Sequence, residues 1–144
     1  MTENEYIIRQ ISVFSENRPG RLAAIAHALE EERVNIFAFS IAEASGFGVV
    51  RALVDHPDRA HARLVRDGFN VAFTDVIAVR MRDTPGGLYE VARLLGEAGI
   101  NIEYSYAYSG HDGAVLILRV DRPTDAITAI QGAGKELISR SAFS

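Results

Sequence analysis

Asn17-Arg18-Pro19-Gly20 stands between the alternating run Ile11-Ser12-Val13-Phe14 and the apolar-periodic segment from Arg21 to Glu32. Asp83-Thr84-Pro85-Gly86 stands in the same setting, between Ile77-Ala78-Val79-Arg80 and the segment from Gly87 to Gly99. A polar-x-Pro-Gly turn between a strand pattern and a helix pattern thus occurs twice. At the common offset of 66 residues, Pro19-Gly20 falls on Pro85-Gly86, Leu22 on Leu88, Ala26 on Ala92 and Leu29 on Leu95. Asn35-Ile36 meets Asn101-Ile102, Val54-Asp55 meets Val120-Asp121, and Pro57 meets Pro123. About fifteen of the fifty residues from 11 to 60 are identical without a gap, where chance gives roughly three, so the chain is a duplication.

Each copy reads the same way. Ile11 and Val13, like Ile77 and Val79, alternate with other neighbours as strands do. Leu22, Ile25, Ala26 and Leu29, and again Leu88, Val91, Ala92 and Leu95, follow helical spacing. A proline near the first helical turn costs nothing, because its missing N–H has no partner there. Residues 34–42 and 49–54 read as two strands around a Ser-Gly-Phe-Gly turn, with counterparts at 100–108 and 115–120 around Ser-Gly-His-Asp-Gly. Pro57 and Pro123 open second helices, and a strand closes each copy. The order βαββαβ, twice, predicts an α+β protein of two ferredoxin-like units, each an antiparallel sheet with both helices on one face. The expected division is residues 1–74 and 75–144. The stretch from Phe69 to Arg82 contains neither Gly nor Pro, so the last strand of the first unit is expected to run almost directly into the first strand of the second.

This series of strand, [N/D]-x-P-G-x-L, amphipathic helix, [V/I]-N-I and strand resembles the ACT domain, a small regulatory module that binds amino acids. The resemblance covers residues from about 7 to 143, and is nearest to short stand-alone tandem ACT proteins of bacteria that carry no attached enzyme. It implies a ligand lying between one unit's loop and helix start and a strand of its neighbour. Carried over by motif, the first site would use Asn17, Gly20, Arg21, Leu22, Asn35 and Ile36, and the second Asp83, Gly86, Gly87, Leu88, Asn101 and Ile102. Physical chemistry fits that role. A helix N-terminus offers unpartnered N–H groups and a positive dipole end to a carboxylate. Asn17 or Asp83 offers oxygen to an ammonium group, Asp83 more strongly because its bond is charge-assisted. Glycine at 20 and 86 leaves the approach open. Asn35 and Asn101 also suit the left-handed turn that closes a helix.

Other features are read beside this one. Tyr104, Tyr106 and Tyr108 recur at spacing two and share one strand face. They could pack under helices or between units, line a site for an aromatic ligand, or stack single-stranded RNA. The last is opposed by a net charge of −4 and the absence of a basic stripe. Residues 1–66 hold 8 basic against 9 acidic side chains and residues 67–144 hold 7 against 10, with Lys135 the single lysine. No phosphate loop with its lysine is present, nor a Ser or paired-carboxylate catalytic motif. His27, His56, His61 and His111 lack metal-ligand spacing, and the Glu-Glu-Glu-Arg run at 30–33 reads as a solvated helix end. With no cysteine there is no disulfide, and no run reaches the roughly 18 apolar residues of a membrane span.

The expectation is a non-catalytic, cytoplasmic sensor without cofactor, metal, nucleic acid or membrane partner. It would bind an amino acid or related small carboxylate. Exposed sheet edges and faces predict a homodimer, with a partner enzyme as a possible receiver of the signal. The alternative is an interaction module that assembles with an enzyme or regulator without any ligand.

Overall fold

The computed structural model describes residues 4–110 and 113–144. Its elements run β1 (Ile8–Glu16), α1 (Arg21–Glu31), β2 (Ile36–Ala44), β3 (Phe47–Val54), α2 (Pro57–Arg66) and β4 (Asn70–Met81). They continue with α3 (Gly87–Glu97), β5 (Ile102–Gly110), β6 (Gly113–Val120), α4 (Pro123–Gly132) and a short 3₁₀ helix (Arg140–Phe143). The chain is α+β, βαββαβ repeated, in two ferredoxin-like units. By compactness, one unit comprises Arg9–Thr74 with Phe143–Ser144, and the other comprises Asp75–Ala142 with residues 4–8. They are called the N-terminal and C-terminal units below. As the uninterrupted sequence implied, β4 runs from one into the other without a break.

In the N-terminal unit β1 pairs antiparallel with β3 (Ile11↔Ala52, Val13↔Val50), and β3 pairs with β2 (Phe39↔Ala52, Ile41↔Val50). Ile11, Val13, Val50 and Ala52 therefore share one face, and on that face they meet Ile25, Ala28 and Leu29 of α1 with Ala60 and Leu64 of α2. The C-terminal unit repeats this, with Ile77, Val79, Leu116 and Leu118 beneath Val91 and Leu95 of α3 and Ala126, Ile127 and Ile130 of α4. Burying each such aliphatic side chain stabilises the fold by about 1.5–3 kcal/mol. Chain ends follow their units: Phe143 packs edge-on against Phe37 at 5.4 Å between ring centroids.

Four local expectations are corrected. The first hairpin turn is only Ser45-Gly46, with φ of 53° and 85°, so Phe47 and Gly48 belong to β3. Two successive positive φ values match the strand twist of a tight hairpin, and Gly46 N–H also donates to Glu43 Oε1 at 2.7 Å. The expected Ser-Gly-His-Asp-Gly turn includes His111 and Asp112, which lie outside the described residues. Pro19 and Pro85 precede the left-handed glycines that cap α1 and α3, so they lie outside the helices; Pro57 and Pro123 do sit in the first turns of α2 and α4. The strand expected to close the C-terminal unit shrinks to one bridge, Val79↔Leu137. It is flanked by Arg80 N–H to Glu136 O and Ile138 N–H to Ala78 O, both 2.9 Å, before Arg140 N–H turns to Glu5 O. Finally, Arg33 and Gly99, not Asn35 and Asn101, are the left-handed residues after the first helix of each unit.

Candidate functional site

Each Pro-Gly loop delivers its helix start in the same way. Gly20 (φ 90°) and Gly86 (φ 92°) are left-handed N-caps, a conformation that costs any other residue a steric penalty. The glycines answer that backbone demand first, since no other residue lies within 4 Å of a Cβ built on Gly20. Neither cap supplies a side-chain hydrogen bond; Arg21 N–H and Gly87 N–H donate to Arg18 O (3.2 Å) and Thr84 O (3.0 Å), so the N–H groups that follow them in the first turn are the ones a ligand can meet. Asn17 N–H donates to Gly46 O at 2.9 Å, tying the first loop to the β2–β3 hairpin. Leu22 and Leu88 stand beside the loops and are exposed.

Asn35-Ile36 and Asn101-Ile102 do not join the loops within a unit. They lie past the far end of an eleven-residue helix, about 16 Å along its axis. There Asn35 N–H donates to Asp55 Oδ1 (2.9 Å) and Asp55 N–H to Asn35 O (3.1 Å). Asn101 and Asp121 repeat the exchange at 3.0 and 3.2 Å. Within the unit, then, the recurring Asn ties the start of one strand to the end of the next. Ile36 and Ile102 are half-buried against their cores.

The C-terminal loop opens onto a cleft of about 420 Å³ whose polar wall is Arg80, Arg82, Asp83, Glu90, Lys135 and Glu136. Met81, Gly87 and Val91 also line it. Arg82 pairs with Glu90, Lys135 Nζ reaches the same carboxylate at 3.0 Å, and Arg80 pairs with Glu136. Hydrogen bonds from Arg82 and then Lys135 hold the Glu90 carboxyl below its ordinary value. Asp83 and Gly87 were expected here. Lys135, Glu90 and Arg82 were not, although the single lysine was visible as an oddity of composition.

The corresponding place in the N-terminal unit is nearly filled. Arg21 Nε donates to Ser15 Oγ at 3.2 Å and the guanidinium lies over Phe69, 5.4 Å from its centroid. A cavity of about 20 Å³ lies beside Asn17 and Arg21. A separate cavity of about 100 Å³, lined by Leu22, Phe39 and core aliphatics alone, lies in the same unit.

The other sequence features find ordinary places. Tyr104, Tyr106 and Tyr108 pair opposite Arg119, Ile117 and Val115, on the face away from α3 and α4. They are half-buried, and burial pushes the Tyr108 hydroxyl up; packing under the helices is excluded. The Glu-Glu-Glu-Arg run is not simply solvated, because Arg63 of α2 reaches Glu31 (2.5 Å), Glu32 (3.3 Å) and Asp67 (3.0 Å). His61 stacks on Phe73 at 4.5 Å, and no acidic or histidine cluster able to hold a metal occurs among the described residues. Among the described residues no helix is long and apolar enough to cross a membrane.

Comparison with known proteins agrees with this architecture. No curated protein matches the sequence. A protein of Bacteroides thetaiotaomicron with a crystal structure is 31% identical, with 98% of each chain covered and a TM-score of 0.92. The ligand-free regulatory subunit of aspartate kinase from Thermus thermophilus is 16% identical over 90% of this chain and 95% of its own, with a TM-score of 0.65. That from Thermus flavus is 15% identical over 88% and 92%, with a TM-score of 0.61; these two show a shared fold. The family model for the ACT domain pair matches residues 6–139, spanning both loops and both units, and the chain belongs to that family.

Proposed function

We propose that this protein is a non-catalytic regulatory sensor that binds an amino acid or a related small carboxylate at its Pro-Gly loops. The ACT domain pair is a regulatory module, and the observation that carries the ligand reading is the C-terminal loop. There an uncapped helix start and Asp83 face a cleft of about 420 Å³, within the roughly 300–1,000 Å³ of small-molecule sites. A carboxylate suits the helix N-terminus and an ammonium group suits Asp83. The functional division is placed at residues 1–74 and 75–144, the setting cytoplasmic, and the working form a homodimer in which a neighbour's strand, with its Asn-Ile pair, completes each loop. Binding at a shared boundary would change packing there, which a partner enzyme or regulator could read.

A thermal-shift screen against the twenty amino acids tests this. Ligand at about 100 times its dissociation constant adds about 2.7 kcal/mol. Selective stabilisation that Asp83→Ala abolishes supports the sensor. A flat screen with a sound fold sinks it and leaves the assembly module. That second reading is favoured by Phe39 and Ile41, exposed on β2.

A further inference from the structure

We infer that the C-terminal loop alone is a ligand site, and that its cleft selects a net-neutral α-amino acid with a small or polar side chain, its carboxylate received at the start of α3 with Arg82 and Lys135 beside it and its ammonium group by Asp83. The inference rests on the sensor reading above and narrows it to one unit and one ligand class.

The two units differ at the positions that decide whether a cleft exists. At the 66-residue offset, Arg21 corresponds to Gly87 and Phe69 to Lys135. In the N-terminal unit the Arg21 side chain lies across Phe69, where Gly87 has no side chain to place, and the cavity beside Asn17 and Arg21 holds about 20 Å³. In the C-terminal unit the arginine is replaced by a residue with no side chain and the ring by a slender one, and about 420 Å³ opens. Gly87 is irreplaceable in this backbone, because a Cβ there would lie 2.0 Å from Arg82 O. The open loop is therefore built into the chain rather than left by an accidental surface gap.

The charges on the wall name the ligand. Arg80, Arg82 and Lys135 face Asp83, Glu90 and Glu136, so the lining is neutral as a whole. Glu136 is met by Arg80, while Glu90 is shared by two cations, Arg82 and Lys135. That corner has one positive charge more than its carboxylate cancels. Asp83 makes no ion pair or hydrogen bond among the described residues. An unmatched cation and an unmatched carboxylate on one wall fit the two ends of a zwitterion. A dianion would face three carboxylates. Met81 and Val91 are the only apolar side chains of the lining beside six charged ones, and none of the three tyrosines lines the cleft, so an aromatic side chain has no ring to stack on.

Calorimetric titration of the full chain tests the inference, using glycine, serine, threonine, asparagine and glutamine, with leucine, phenylalanine and succinate as contrasts. One neutral polar amino acid should bind once per chain. Lys135→Met should weaken it about tenfold or more, as expected for a lost bond to a charged group. Lys135→Arg should retain most of the affinity; melting of the unliganded variants establishes that they fold. Binding that survives Lys135→Met, two equivalents per chain, or a preference for phenylalanine, leucine or succinate overturns the assignment while the sensor reading stands. Wild-type protein that binds no amino acid at all overturns both.

Discussion

Glu90 is a carboxylate with two cations on it, and that makes its protonation part of folding. Arg82 and Lys135 keep its carboxyl below the ordinary value of 4.5, so the ionised form is favoured in the folded state. Such a contribution is present above the unfolded-state value and is lost as pH falls through the lower, folded-state one. Melting curves taken between about pH 3 and 6 should therefore show wild type above Glu90→Gln at the upper end, with the two converging towards the acid end. Parallel curves would mean that the three-way contact adds nothing to stability. The neighbouring glycines make a second residue-scale contrast. Gly86→Ala meets only left-handed strain, about 1–2 kcal/mol, whereas Gly87→Ala drives a methyl into Arg82 O and should cost about 1–3 kcal/mol while narrowing the cleft. Chemical denaturation reads both, and titration with the selected amino acid should show the larger loss of affinity in Gly87→Ala. The sequence revealed Asp83 and the glycines because they recur within a motif. It did not reveal Glu90 with Lys135, or Glu31 with Arg63, because partners 45 and 32 residues apart leave no periodic trace.

At the scale of elements, alternation and helical spacing told where each strand and helix lies, since burial acts directly on those periods. They told less well which apolar residues are covered. Leu88 and Leu95 both belong to the predicted stripe of α3, yet Leu95 is fully buried and Leu88 is 55% exposed. Leu95→Ala should cost about 2–5 kcal/mol by opening a cavity among Ile77, Val79 and Ile130. Leu88→Ala should stay within about 0.5 kcal/mol. Equal losses in urea denaturation would contradict this packing. The ends of elements were harder to read for a different reason. A Ser-Gly pair with two positive φ values looks in sequence like any polar turn. The last strand is reduced to a bridge at Leu137, and Arg140 then bonds Glu5 at the opposite end of the chain, a partner that no local pattern reveals.

For the molecule as a whole, the duplication was legible because fifteen identities fall in register, and the asymmetry was legible wherever the copies disagree. The disagreement is largest at four exposed apolar side chains: Phe39 and Ile41 form a strip on the helix-bearing face of the sheet, and Phe14 and Phe47 lie on the other face. Phe14, Phe39, Ile41 and Phe47 are exposed in the N-terminal unit, while their counterparts are Arg80, Ser105, Ala107 and Gly113. Phe39 and Ile41 lie on β2, which pairs with β3 and ends the strand order on that side. An edge strand with bare aromatic and aliphatic side chains is a template for pairing, and natural proteins either cover such an edge or charge it. Pairing with the same strand of a second copy, around a two-fold axis, is the simplest closed cover. Light scattering coupled to size exclusion should then report a dimer for wild type and a monomer for Phe39→Lys with Ile41→Lys. A monomeric wild type would leave the strip to a different partner. If the double variant is monomeric and still binds an amino acid with unchanged affinity, the C-terminal cleft works without the dimer made through β2. If affinity falls with the dimer, the neighbour's strand completes the site, and ligand and assembly are thermodynamically linked.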